Sequence, residues 1–412
     1  MEHHFLYGHR RQPPARHTGH QFTDHSLMKF LFIVQGEGRG HLTQALTLEE
    51  HLLREGHEVV EVLVGKSRNR ELPTFFRQKL KAPLSRFESP NFLPTPANRK
   101  NNLTGSILYN IVRLPAFSRS ILFIRQRIKA SGADIVVNFY ELLTGLTYLF
   151  CRPETRQICI GHQYLFLHKD FRFPRVNRTQ LGLLKMFTRL TAIGSDRMLA
   201  LSFSRMADDK KQRIYVVPPL LRKEVLQQTV SEGHYIHGYM VNSGFSSQVM
   251  AWHKAYPHIP LRFFWDRKNE TEICHIDDTL SFYPLDDHAF LKQMSGCRAY
   301  ASTAGFESIC EAIYMGKPVL MVPAHIEQEC NAYDAMCAGA GIISTSFSLD
   351  RLLEFSSTFR PNRTFIFWVH NVNLLIEHLI REPEPTPQSL YTEKILQLFR
   401  RYKPVFYKYL NT

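Results

Sequence analysis

Between Ala301 and Gly341 the chain reads ASTAGFESICEAIYMGKPVLMVPAHIEQECNAYDAMCAGAG, a pattern of small, acidic and amide residues suited to holding a nucleotide. A small-residue turn opens a helix, a Gly-Lys-Pro-apolar run reads as a buried strand, and a second polar helix closes on Gly339 and Gly341. Thr303 can cap the first helix. Ala304 and Gly305 leave its first N–H groups open to an anion such as a diphosphate, which the helix dipole also favours. Helical spacing sets Phe306, Ile309, Ala312 and Ile313 on one side and Ala304, Ser308 and Glu311 on the other, so one face packs and one is free for ligand. Glu311 lies about two turns, roughly 9 Å, from the helix start, a reach that suits a ribose diol whose phosphates rest on the N-terminus. A solvated glutamate on an ordinary helix is the plainer alternative.

The segments AGFESICEA, GKPVLMVP, EQ and NA in this order resemble the donor-binding segment of glycosyltransferases with the two-Rossmann, GT-B architecture. The pattern is similar to that of the lipid II-forming N-acetylglucosaminyltransferase, its relatives and the wider UDP-glycosyltransferase group. The resemblance implies an α/β fold of two Rossmann-like domains with parallel sheets facing across a cleft. It also implies that Gly305 with Ser308 meets the diphosphate, that Glu311 binds the ribose, and that Glu327 and Gln328, supported by Asn331, read the donor sugar.

The elements that must position such a site begin at Met28, with strand KFLFIVQ, turn GEGRGH, helix LTQALTLEEHLLREG and strand HEVVEVLV, a β-α-β unit that starts a parallel sheet. Glycines at 36, 38 and 40 lack the Gly-x-Gly-x-x-Gly spacing, which disfavours a dehydrogenase. Gly40-His41, followed by Thr43-Gln44-Ala45, resembles the glycine-histidine turn of the transferase families. His41 is the first choice for general base, because imidazole titrates near neutral pH and can take a hydroxyl proton. Its alternative role is a helix-start histidine donating to a backbone carbonyl. Strand ends of open parallel sheets gather ligands, which adds Glu141 after ADIVVNFY, and His162 and Gln163 after QICIG. The run IGHQ resembles the strand-end polar turn of the lipid II enzyme. Glu141 reads equally as a helix-start carboxylate, and His162 as a group bonded within its turn.

In RIYVVPPLLRKEV the Pro218-Pro219 pair suits a crossing between domains. The expected organisation is a leader at 1–27, an acceptor domain at 28–219, a nucleotide-sugar domain at 220–382, and a last helix at 389–412 that returns to the first domain. The leader holds six of the 20 histidines without apolar periodicity and reads as unstructured. Asn242-Ser243-Gly244 resembles the second glycine-bearing loop that faces donor phosphates. By the same resemblance the backbone at Phe282, before a helix capped by Asp286 or Asp287, meets the nucleotide base.

With 412 residues, 44% hydrophobic and 21% charged, the chain has globular usage and length for two cores. Seven scattered cysteines without a Cys-x-x-Cys pair read as reduced thiols, and the aspartate pairs lack Asp-x-Asp spacing, so no metal or cofactor is expected beyond a UDP-sugar donor. No uncharged run reaches the roughly 18 to 20 residues that cross a bilayer. Residues 89–133 and 171–195 contain no acid, and in the first of these windows Arg119, Arg125 and Arg127 alternate with Leu, Ile and Phe. Together with a net charge of +14 this suggests an acceptor side resting on an anionic membrane and a lipid-linked acceptor. A soluble basic face over an ordinary core is an equal alternative. The charge also raises nucleic-acid binding, but no nucleic-acid motif contains these residues, so that partner is not expected. A UDP-sugar 2-epimerase shares the architecture. The reading carried forward is an inverting, metal-independent glycosyltransferase that moves a sugar from a UDP-sugar to an acceptor hydroxyl. It is expected in the cytoplasm and peripherally at the inner face of the cell membrane.

Overall fold

The computed structural model describes residues 27–67, 71–90, 93–94, 101–102, 114–241, 243–265, 267 and 271–382. The expected leader, apart from Leu27, and the expected helix at 389–412 lie outside the described residues.

The first sheet is built from β1 (Lys29–Gln35), β2 (Glu58–Lys66) and β3 (Leu84–Glu88). A short antiparallel pair, β4 (Leu93–Pro94) and β5 (Asn101–Asn102), precedes its other members, β6 (Ile135–Phe139), β7 (Arg156–Ile160), β8 (Arg197–Leu201) and β9 (Ile214–Val217). All seven run parallel in the order β3-β2-β1-β6-β7-β8-β9. The continuous apolar runs of its central strands, such as β1 and β6, follow from burial on both faces. Phe30, Phe32 and Val34 point to one face, with helix Arg39–Arg54. Leu31 and Ile33 point to the other, under helices Leu114–Ser131 and Leu142–Cys151, and helix Arg178–Thr191 continues this second layer.

The second sheet comprises β10 (Ile236–Met240), β11 (Leu261–Trp265), β12 (Cys274–His275), β13 (Leu280–Pro284), β14 (Ala299–Ser302), β15 (Val319–Met321) and β16 (Gly341–Ile343). Their order is β12-β13-β11-β10-β14-β15-β16, parallel except for β12 against β13. In each sheet the first strand, β1 or β10, has neighbours that continue in opposite directions. Such a switch point leaves a crevice at the strand ends where ligands bind. These crevices lie between β1 and β6 and between β10 and β14. The loop after the second strand of each pair holds a left-handed residue, Tyr140 at φ 60° and Ala304 at φ 60°, a backbone strain common at functional sites.

One contiguous core joins the two units. Leu42 and Leu201 of the first and Ile309 and Met321 of the second belong to it, with Phe203, Leu220 and Leu221 between them. Among the described residues, the chain before residue 382 already packs back on the first unit. Trp368, on helix Arg363–Val369, donates Nε1–H to the Ser202 carbonyl at 3.0 Å, and Arg197 donates to the carbonyl of His378, on helix Asn373–Ile380, at 3.0 Å. Residues expected within the second unit thus pack on the first. The apolar faces of these two helices find cover there, a pairing that local periodicity does not reveal.

Two glycines test the packing of the first unit's helices. A Cβ on Gly145 would lie 2.0 Å from the Leu190 carbonyl oxygen, whereas Gly182 has open space around it on an exposed helix position. Gly145→Ala is expected to destabilise by about 1–3 kcal/mol through overpacking, and Gly182→Ala to stabilise by roughly 0.5–1 kcal/mol. Thermal melts of the two variants should move in opposite directions, and a shared direction refutes the helix contact.

Candidate functional site

The first crevice is shaped by the turn after β1. Helix Arg39–Arg54 starts at Gly38 without a side-chain cap, and the chain passes so close to the second unit that a Cβ on Gly40 would fall 2.4 Å from Glu307 Oε2. Gly40 is therefore a site of close approach between the two units. His41 follows, buried, its ring stacked on Tyr140 at 5.6 Å between centroids. Its Nδ1 is 3.3 Å from Gln44 Oε1 and its Nε2 is 3.4 Å from Gln163 Nε2. Burial holds the imidazole below its ordinary pKa, with the Glu327 charge and the Gln44 hydrogen bond opposing that effect.

The second crevice contributes the helix Phe306–Tyr314. Its N-cap is Gly305, in extended backbone and without a side-chain cap, so the helix start is not closed by its own cap residue. Thr303 does not cap it. The Thr303 hydroxyl instead accepts from Val241 N at 3.1 Å and ties β14 to the end of β10. Ser308 Oγ donates to the Gly305 carbonyl at 3.2 Å. From helix Ile326–Cys337, Asn331 Nδ2 donates to the Ala304 carbonyl at 3.4 Å, and Gln328 Oε1 accepts from Ala324 N at 2.8 Å, so both amides hold the loops of the crevice. Ser243 and Gly244 begin the turn after β10, while Asn242 lies outside the described residues. The Phe282 side chain stacks flat on Trp265 inside the core, at 4.4 Å between centroids.

Two amide bridges join the crevices around His41. Gln163 Nε2 donates to Glu327 Oε1 at 2.8 Å, and Gln44 Nε2 donates to Glu307 Oε1. Burial, with Glu311 and Glu327 adding to it, pushes the Glu307 carboxyl up to about 7. Neither Gln44 nor Glu307 stands out in the sequence, although both fall in the motifs quoted above.

Glu311 departs most from expectation. It is 3% exposed and accepts from Arg222 Nε at 2.7 Å, so its face of the helix is not free. Arg222 also pairs with Asp287, which Lys79 of the first unit reaches at 2.9 Å, and Lys79 bridges to Glu224 at 2.6 Å. Arg222, Asp287, Lys79 and Glu224 line a cavity of about 220 Å³ together with Thr47 and Phe75. Burial raises the Glu311 carboxyl and the Arg222 charge opposes the rise. Sequence spacing does not reveal Arg222, whose partner is 89 residues away, and only the proline pair hints that the chain crosses there.

Glu141 and His162 also take local roles. The Glu141 carboxylate caps helix 142–151 by accepting from Leu143 N at 3.0 Å, accepts from Ser89 Oγ at 2.7 Å, and is pushed up to about 7 by burial. His162 donates Nδ1–H to the Leu201 carbonyl at 2.7 Å, lies flat on Phe306 and is pushed down to about 4 by burial. Of the three catalytic candidates, His41 is the one flanked by the two amide bridges to the second unit. On helix 114–131, Arg119 and Arg125 are exposed, whereas Arg127 pairs with buried Glu61 at 2.8 Å.

The buried pair gives a test. Removing one partner of a buried ion pair leaves the other uncompensated, at a cost of about 3–5 kcal/mol. Arg222→Ala should approach that loss in urea unfolding, and Arg222→Ala with Glu311→Ala should cost less than the sum of the single changes. Strict additivity would remove the coupling.

A profile of the family described as Glycosyl transferase family 1 matches residues 28–359. No curated protein matches the chain. Solved structures do. The glycotransferase of kitacinnamycin aligns at a TM-score of 0.56 and 14% identity, over 86% of this chain and 99% of the other. CalG4, the calicheamicin glycosyltransferase, aligns at 0.55 and 13%, over 87% and 100%. Arabidopsis thaliana UGT89C1 complexed with UDP-L-rhamnose aligns at 0.55 and 14%, over 86% and 95%. At these identities the likeness establishes the two-domain GT-B fold.

Proposed function

Because the chain belongs to glycosyl transferase family 1 and is a glycosyltransferase, we propose that it moves a sugar from a UDP-sugar to an acceptor hydroxyl, with inversion and without a required metal. The observation that carries this reading is the helix start at Gly305, uncapped by its N-cap residue, opposite a buried, neutral His41 across one closed contact. A similar fold solved with UDP-L-rhamnose supports a nucleotide-sugar donor.

In this reading the diphosphate rests on the N-terminus of helix 306–314, beside Ser308 and the turn at Ser243 and Gly244. The ribose reaches Glu311, and Glu327, Gln328 and Asn331 border the donor sugar. His41 Nε2 takes the acceptor proton as the hydroxyl oxygen attacks the anomeric carbon and the nucleoside diphosphate leaves. Charge growing on the leaving group meets backbone N–H groups and the helix dipole, which supply electrostatic stabilisation without an ion. The two acid-free basic windows, 89–133 and 171–195, add a lipid-linked acceptor at an anionic membrane. Helices 114–131 and 178–191, the described helical parts of these windows, support it by lying on one layer of the first sheet, with Leu183 and Met186 37% and 44% exposed on the helix that also carries exposed Arg178, and Leu122 exposed between Arg119 and Arg125. Among the described residues no helix is long and apolar enough to cross a membrane.

His41→Ala should lower turnover roughly a hundredfold or more, since general base catalysis contributes on that order. Calorimetric titration with UDP, with and without EDTA, should give the same affinity for variant and parent. Normal turnover in the variant rejects His41 as base, and loss of activity with EDTA rejects metal independence. For the membrane reading, flotation with anionic liposomes at low salt should carry the protein, with release by salt and on joint substitution of Arg119 and Arg125, each basic residue being worth about 1 kcal/mol. Binding indifferent to lipid charge, or none, makes the acceptor soluble.

A further inference from the structure

The two amides beside His41 specify where its proton sits. Gln44 gives Nε2–H to Glu307, which leaves its carbonyl Oε1 facing His41 Nδ1 at 3.3 Å. A carbonyl oxygen can only accept, so Nδ1 carries the proton. On the other side Gln163 Nε2 donates to Glu327 and lies 3.4 Å from His41 Nε2. An amide nitrogen can only donate, so that ring nitrogen holds a lone pair. The two bridges come from different parts of the first domain, end on different carboxylates of the second, and select the same tautomer.

We infer that Glu307 is a positioning residue that, by fixing the Gln44 amide across the domain contact, holds His41 in the Nδ1–H tautomer and makes Nε2 the proton acceptor. The inference rests on the base role proposed for His41. Gly40 provides the room, since any Cβ there would meet the Glu307 carboxylate. One consequence is that the base is assembled only when the second domain docks, because a Gln44 amide without Glu307 is free to turn and present either end to Nδ1.

A second consequence concerns pH. Glu307 faces the Gln44 amide and the carboxylates Glu311 and Glu327, and its carboxyl is pushed up to about 7. Above that pH it is ionised and accepts from Gln44. Once protonated, its hydroxyl can donate to the amide oxygen, which allows the amide to turn and set N–H against Nδ1. The correct tautomer is therefore present above about pH 7 and lost as pH falls through that value.

The test uses the full chain labelled with nitrogen-15 histidine, the His41 signals being identified by their loss in His41→Asn. The parent protein should show a protonated Nδ1 and an unprotonated Nε2. Glu307→Leu and, independently, Gln44→Leu should shift His41 to a mixture or to the Nε2–H form. In both variants kcat should fall about tenfold or more, because a misassigned tautomer impairs a histidine base severely, while UDP affinity stays within about threefold of the parent. The acid limb of kcat/KM should move to lower pH in Glu307→Leu. An Nε2–H tautomer in the parent, or an unmoved tautomer in both variants, overturns the assignment. Normal turnover in His41→Ala removes the base role alone, and the tautomer readout then decides the Glu307 assignment by itself.

Discussion

A single stacking contact turns two separate crevices into one site. His162, just beyond the end of β7, lies flat against Phe306, the first residue of the helix that opens at Gly305, with ring centroids 4.1 Å apart and planes within 18°. Its Nδ1–H is tied to the Leu201 carbonyl and burial keeps it uncharged, so the ring is held in one fixed orientation. Phe203 closes against the same ring and against Phe306. With Phe306 set, the next residue on the helix, Glu307, reaches Gln44. The polar bridges around His41 thus depend on an apolar contact that contributes no chemistry of its own, which is common where a polar site must be held in a fixed geometry.

The fold was legible because its signals are local and repeated. Strands buried on both faces read as unbroken apolar runs, as in KFLFIVQ, and glycine turns punctuate them before amphipathic helices. The placing of Gly305 at a helix start was legible for the same reason. The partners of the site were not. Helical spacing says that Glu311 shares a face with Ser308, but not that Arg222 of the crossing segment lies against that face. Capping preference suggested Thr303, yet the pairing of β10 with β14 had already engaged its hydroxyl. Glu141 and His162 show the limit of residue type. A polar group at a strand end suits a ligand and a local hydrogen bond equally, and only three-dimensional burial separates the two. Gln44 and Glu307 carry no signal singly, because what each does is defined by the other across a separation of 263 residues.

The nucleotide end of the proposed site raises a different physical question, since the carboxylate meant for a ribose is already engaged. A lone buried ion pair would resist such an exchange, because freeing one partner leaves the other uncompensated. Arg222 is not in that position. Its guanidinium spans Glu311 and Asp287, and a planar group with five N–H donors can give up part of its contact with one carboxylate while keeping the other. Lys79 supports Asp287 from the first domain, so the second carboxylate is itself doubly compensated. A ribose diol that shares Glu311 therefore displaces one hydrogen bond within a network rather than stranding a buried charge. Because Lys79 belongs to the first domain and Arg222 to the crossing, the same network is complete only when the domains are closed. The nucleotide end and the His41 end of the cleft are thus coupled to one rigid-body arrangement.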